Sequence, residues 1–221
     1  MTQSETTKQA RVFNASDIEN MPQRTRANFI NALSGFKSAN LVGTRNVNSV
    51  DNLAVVSSVF HVGAHPPLLG MIMRPHTVVR DTLQNIKDTG VYTINHICTD
   101  IVGPSHQTSA RYPSEESEFV HTGLTPIDST AVNAPYVIES NISLAMQVQD
   151  IQLIAINKTE LVIGQIVEVV MKNNYVNDDG YVDIERANSV AISGLDAYHK
   201  TQSIDRFAYA KPGKAIKSIK L

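Results

Sequence analysis

The sequence predicts a mainly β chain, an antiparallel barrel with a few appended helices. Short runs rich in Val, Ile, Leu and Met recur from Ala39 onward, separated by polar or Pro/Gly punctuation. The early runs follow one another through loops too short to hold helical crossovers, which favours antiparallel pairing over a doubly wound sheet. Helical spacing is confined to a few stretches. With 221 residues, 42% of them hydrophobic and 18% charged, the chain has material for one large domain and its core.

The first dozen residues are polar and read as an arm, which extends over residues 1–20. After Pro22, the stretch Gln23 to Leu33 places Ala27, Phe29, Ile30 and Leu33 on one helical face, stopped by Gly35. Strands are expected at Ala39 to Thr44, Leu53 to Val62 and Leu68 to Met73, with Arg45 to Asn52 and Gly63 to Pro67 as the connections. Thr77 to Gly90 changes rhythm: Val78, Val79, Leu83 and Ile86 recur at helical spacing, and Gly90 supplies the stop. Val91 to Ile97 returns to strand. Cys98 to Phe119 reads as helical turns and loops around Pro104 and Pro113. Tyr136 to Val148 and Leu161 to Met171 form a second β-rich half, Asp178-Asp179-Gly180 marks a turn, and Val190 to Ile192 is a last short strand. Residues 21–212 form the folded domain, and residues 213–221 a basic tail. Lys211, Lys214, Lys217 and Lys220 recur three apart at this end, a solvated face rather than an anionic-surface anchor.

Composition narrows the function. The net charge of −2 and pI near 6.4 lack the positive excess with which a nucleic-acid binder neutralises phosphates. Cys98 is the single cysteine, so neither an intramolecular disulfide nor a multi-cysteine metal site is available. No apolar run reaches the ~18 residues of a membrane span, and MTQSETTKQAR lacks the apolar segment of a secretory leader. The expectation is a soluble cytoplasmic protein.

Familiar chemical motifs are missing. There is no GxSxG elbow, no GxxxxGK[ST] loop and no GxGxxG after a strand. Ser57 or Ser58 with any of the seven histidines has no triad spacing. His61 and His65 are four apart, but Pro66-Pro67 argues against a helix there, and they read as loop histidines rather than a metal pair. The informative stretch is Ser49 to Asn95. It holds a strand with adjacent hydroxyls at Ser57-Ser58, a bend, an apolar strand ending at Arg74, and a polar helix start at Arg80-Asp81-Thr82. A helix start offers free N–H groups to a phosphate, with Arg74, Arg80 and Thr82 as side-chain donors. The strand Ser57 to Phe60 can present backbone groups to a flat polar ring. Each part also has a plain structural reading, as a solvated helix face or local hydroxyl–backbone bonding.

These residues carry a resemblance. Val56-Ser57-Ser58, Pro66-Pro67-Leu68, Arg74-Pro75, Thr82-Leu83 and Thr93-Ile94-Asn95 resemble, in order and spacing, the flavin reductase-like family, whose fold is the FMN-binding split β-barrel. Gly123-Leu124-Thr125-Pro126, Ala134-Pro135 and Gly194-Leu195-Asp196 to Tyr198 resemble its longer members, including flavoredoxins. The likeness spans about Leu41 to Pro212. It implies FMN in a groove near a homodimer interface, with Ser57, Ser58, Val59 and Phe60 along the isoalloxazine. Arg74, Arg80, Asp81 and Thr82 would surround the phosphate, and the longer RPHTVVRDT stretch adds His76 and Thr77. Asn95 and His96 would lie close, and Ser105 to Tyr112 would close over the flavin. The implied activity is reduction of flavin by NADH or NADPH, passing electrons to free flavin or a redox partner. The alternative is an FMN-bearing electron-transfer protein without its own NAD(P)H activity. Hydride transfer demands no acid–base side chain, so no catalytic residue is assigned.

Overall fold

The computed structural model describes residues 10–75 and 80–219. His76 and Thr77, with Val78, Val79 and Lys220, lie outside the described residues. Helices α1 (Ala15–Glu19) and α2 (Gln23–Leu33) precede a two-residue strand, β1 (Lys37–Ser38). Four strands follow: β2 (Asn40–Arg45), β3 (Asp51–Val56), β4 (Val59–Ala64) and β5 (Pro67–Met73). Helix α3 (Asp81–Thr89) leads into β6 (Val91–His96), and two short helices, α4 (Val102–Gln107) and α5 (Glu118–Thr122), come next. A small pair, β7 (Pro126–Asp128) and β8 (Pro135–Val137), precedes the long hairpin of β9 (Ile142–Ile154) and β10 (Thr159–Met171). The chain finishes with β11 (Ala191–Ser193), β12 (Ala197–His199), β13 (Arg206–Phe207) and β14 (Ser218–Ile219).

The main sheet has seven strands in the order β3-β2-β6-β9-β10-β5-β4, every pair antiparallel. Its two edges, β3 and β4, are consecutive in sequence and joined only by Ser57 and Ser58. A flat sheet of this width would hold its edge strands roughly 29 Å apart, whereas three chain steps reach about 10 Å. The sheet must therefore roll into a barrel whose seam is Ser57-Ser58. Register shifts between Ile163 and Gly164 and between Ile166 and Glu168 supply local curvature in β10.

Alternation along the strands sorts the apolar residues into two cores. Val42, Ile94 and Leu144 stand opposite one another in register and, with Met71, Tyr92, Met146 and Val162, fill one side, onto which α3 packs Leu83 and Ile86. Leu41, Leu53, Ile97, Phe119, Val137 and Ile192 fill the other. Strand β2 is thus covered on both faces, which explains its unbroken run of buried residues from Asn40 to Thr44. Gly43 is required there: a Cβ would collide with the Pro135 carbonyl and the Thr93 hydroxyl.

Three element boundaries depart from the sequence expectation. Leu53 to Val62 is two strands, because β3 pairs with β2 while β4 pairs with β5. Tyr136 to Val148 breaks between Val137 and Ile142, where the Ser140 hydroxyl bonds to the carbonyls of His96 and Ile142, at 2.8 and 2.9 Å. The described helix after β5 starts at Asp81 and ends, as expected, at Gly90, whose N–H bonds the Ile86 carbonyl. The basic end pairs with the chain through Arg206↔Ile219 and Phe207↔Ser218, leaving Lys211, Lys214 and Lys217 exposed. No helix among the described residues is long and apolar enough to cross a membrane.

Candidate functional site

The seam is the most unusual part of the barrel surface. Ser57 and Ser58 lie outside both flanking ladders, and the Ser58 hydroxyl donates to the Ile72 carbonyl at 2.7 Å. That bond ties the seam to the end of β5, two residues before Arg74. Val59 pairs with Met71, and its carbonyl accepts from the Ser38 hydroxyl at 3.1 Å. The Phe60 ring lies over Gly70, where any Cβ would meet it, and remains 44% exposed. A half-exposed aromatic ring on a β strand is thereby held in place beside an open backbone segment.

Cations gather next to the seam. Arg80 is the N-cap of α3, which has no side-chain cap, so the first N–H groups of the helix lack that partner. The Arg80 Nε is buried with no hydrogen-bond partner among the described residues. Its pKa is lowered by burial and by the positive charges of Arg74 and Arg111. Lys37 is likewise lowered, by burial and by Arg74. None of these four residues forms an ion pair among the described residues. A cationic group that repels its neighbours and leaves a buried donor unused calls for an anion.

Other expected site residues serve the fold. Thr82 is buried, its hydroxyl accepting from Asn52 Nδ2 at 2.9 Å, and the Thr44 hydroxyl accepts from both Asn52 and Asn85. This network fixes the start of α3 against β2 and β3. Asp81 sits beside it in the first turn, and its charge raises the Glu118 pKa, an effect secondary to the burial of Glu118. Asn95, expected close to the flavin, is committed to protein partners. It has no exposure, donates to the Leu41 carbonyl (3.3 Å) and Thr93 hydroxyl (3.0 Å), and accepts from the Val137 N–H (3.0 Å). Both its donors are used, and its task is to hold β8 against β6 and β2. His96 lines a cavity beside β1 together with Ser38, whose hydroxyl donates to the Val59 carbonyl. Lys37, Ser38 and Arg111 were not singled out in the sequence, though Arg111 falls within Ser105 to Tyr112.

Known proteins share this architecture. Residues 35–203 match the flavin reductase like domain. The chain belongs to that flavin-binding family. A protein from Shewanella frigidimarina assigned as a flavin reductase with a split barrel domain is 49% identical, covering 91% of this chain and 100% of its own, with a TM-score of 0.88. Nitrilotriacetate monooxygenase component B from Bacillus cereus is 20% identical over 89% of this chain and 98% of its own, with a TM-score of 0.78. Flavoredoxin of Desulfovibrio vulgaris is 24% identical over 82% of this chain and 93% of its own, with a TM-score of 0.67. The rolled sheet with its seam at Ser57-Ser58 is the split β-barrel of this family.

Proposed function

We propose that the protein is an FMN-binding oxidoreductase, an NAD(P)H:flavin reductase. The observation that carries this reading is the set of cations Arg74, Arg80 and Arg111 around the uncapped start of α3, with Lys37 near enough to Arg74 to feel its charge, beside the open strand Ser57 to Phe60. FMN combines a dianionic phosphate with a flat polar ring, and the site offers a counterpart to each. Arg74 and Arg80, with the N–H groups of Asp81 and Thr82, would hold the phosphate. The backbone from Ser57 to Val59 would meet the ring edge, with Phe60 beside it. His76 and Thr77 stay within the proposed phosphate turn as its neighbours in sequence. When bound, the flavin supplies the hydride chemistry; the chain supplies position, polarity and control of access.

The first test is the absorbance of the purified protein, taken anaerobically before and after NADH and then NADPH. Flavin bands that bleach with either nucleotide are expected, and the faster nucleotide names the donor. A colourless protein that takes up no added FMN would overturn the reading. Arg74→Ala with Arg80→Ala should weaken FMN binding about 10- to 100-fold with the melting temperature kept, from the ~1.5–3 kcal/mol of a hydrogen bond to a charged group. An unchanged affinity would displace the phosphate from this position.

The likeness to a flavoredoxin favours a second reading, an FMN-bearing electron carrier without its own NAD(P)H activity. Flavin that bleaches only with dithionite or a reduced protein partner would select it. On either reading we expect a cytoplasmic homodimer. Val167, Val169 and Val170, exposed on β10, are the apolar residues we assign to its interface, and light scattering in solution tests the state.

A further inference from the structure

The last two strands bury none of their side chains. Strands β13 and β14 pair as a hairpin, which the Ala208 N–H extends by donating to the Lys217 carbonyl at 2.9 Å. A turn through Pro212 and Gly213 (φ 71°) returns the chain, with the Lys214 N–H donating to the Lys211 carbonyl at 3.2 Å. The root of the hairpin is tied down. The Arg206 guanidinium is 2.7 Å from the Asp179 carboxylate and lies over the Tyr181 ring at 4.2 Å, and the Glu185 carboxylate accepts from the Ser203 N–H at 2.9 Å. The remainder is bare. None of residues 200–219 is buried, and Ile204, Tyr209, Ile216 and Phe207 are 99%, 92%, 75% and 56% exposed. Lys211, Lys214 and Lys217 form no ion pair among the described residues. A two-stranded hairpin gains little stability alone, so apolar side chains held out on one point to a surface that covers them.

Charge identifies that surface. Residues 200–221 carry six Lys or Arg against one Asp, a net charge of +5, whereas residues 1–199 carry thirteen against twenty acids, a net of −7. The chain is an acidic body with a basic arm, each the complement of the other, and the arm leaves its lysines unpaired on its own body. A second copy supplies the missing acids. Exposed acids and an uncovered apolar side chain coincide on α5 and the turn before it, where Glu115 and Glu116 are exposed and Val120 is 80% exposed. Glu116 also holds His121 at 2.7 Å, and the His121 ring stacks on Tyr112 at 4.1 Å, so whatever covers α5 braces the connection that carries Arg111. We propose that the hairpin is an arm exchanged between two copies of this chain. Phe207, Tyr209 and Ile216 cover Val120 of the second copy, and Lys211, Lys214 and Lys217 pair with its Glu115 and Glu116. Two-fold symmetry makes the contact reciprocal, each arm lying on the other copy's α5. The arm rests on the homodimer expected above and requires no flavin.

Two charge-reversed chains test it, one with Lys211→Glu, Lys214→Glu and Lys217→Glu, the other with Glu115→Lys and Glu116→Lys. Circular dichroism and the melting temperature check that each folds as the native chain does. In sedimentation each alone should dimerise about tenfold more weakly than the native chain or worse, because like charges meet in both contacts. Mixed, the two should recover the native affinity as a heterodimer, in which both contacts again join opposite charges. Carbodiimide on the native chain should join Lys211, Lys214 or Lys217 to Glu115 or Glu116. After isotope-labelled and unlabelled native protein are mixed, the joined peptides should include pairs with one member of each kind. Reversed chains that dimerise as tightly as the native one, a mixture that associates no better than its components, or cross-links confined to one chain would each overturn the proposal. Any of these results with a dimeric native chain removes the arm and leaves the homodimer, whereas a monomeric native chain removes both. Flavin binding, read separately by fluorescence quenching, decides the FMN reading and leaves the arm untouched.

Discussion

Tyr92 shows how tightly single atoms are constrained in this barrel. Its side chain is fully buried, its hydroxyl has no hydrogen-bond partner among the described residues, and it presses on Gly164, where a Cβ would strike the hydroxyl. Burial alone raises its pKa. An unpartnered buried hydroxyl costs more than the methine that would replace it, so Tyr92→Phe should stabilise the protein by about 1 kcal/mol in urea titration. A loss of stability would mean that the hydroxyl has a partner. Asn95 is the opposite case. Three hydrogen bonds run from one buried amide, and Asn95→Ala should cost about 2–4 kcal/mol by the same measurement. The sequence marked Asn95 for attention, but a motif does not say whether a polar side chain faces a ligand or a neighbouring strand.

Strand existence was legible because β-branched and apolar residues cluster between Pro, Gly and Asn punctuation, and α3 because its apolar spacing ends in Gly90, with φ of 72°. The break at Ser57-Ser58 was not. Both flanks are equally apolar, and what divides them is a change of partner from β2 to β5, which local pattern cannot express. The same limit governs the site: Arg74 and Arg80 stand close along the chain, whereas Lys37 in β1 and Arg111 in the connection after α4 come from distant parts of the chain without a motif. Close approach between elements was also hidden. Gly43 lies in β2 where β8 crosses, and the Thr93 hydroxyl bonds the Pro135 carbonyl there at 2.5 Å. Gly43→Ala would set a methyl against backbone that cannot turn aside. A loss of roughly 1–3 kcal/mol or more is expected from overpacking, read as a lowered melting temperature. Gly103, with nothing near its Cβ position, is the comparison, and Gly103→Ala should cost far less.

At the scale of the whole molecule, two partly buried ionisable groups, Glu118 and His96, give stability a pH dependence of opposite sign. Burial is the main reason the Glu118 pKa is raised, although the Leu53 N–H donates to its carboxylate at 2.8 Å. An acid with a raised folded pKa destabilises the native state once ionised, so Glu118→Gln should raise the melting temperature at pH 7 and lose that advantage in acid. His96 works the other way. Its folded value is about 4 against roughly 6.5 in the unfolded chain, so above pH ~6.5 the ring is neutral in both states and contributes no slope. Between these values the unfolded chain binds a proton that the native state refuses, and stability falls as pH falls. Below the folded value both states are protonated and the loss is complete, at about 3 kcal/mol. Urea midpoints at pH 7.5 and pH 5 for the native sequence and His96→Gln isolate this contribution from the carboxylates common to both. The native sequence should lose about 2 kcal/mol more than the variant across that interval. Equal losses would show that His96 is solvated in the native state and that burial does not hold its ring neutral.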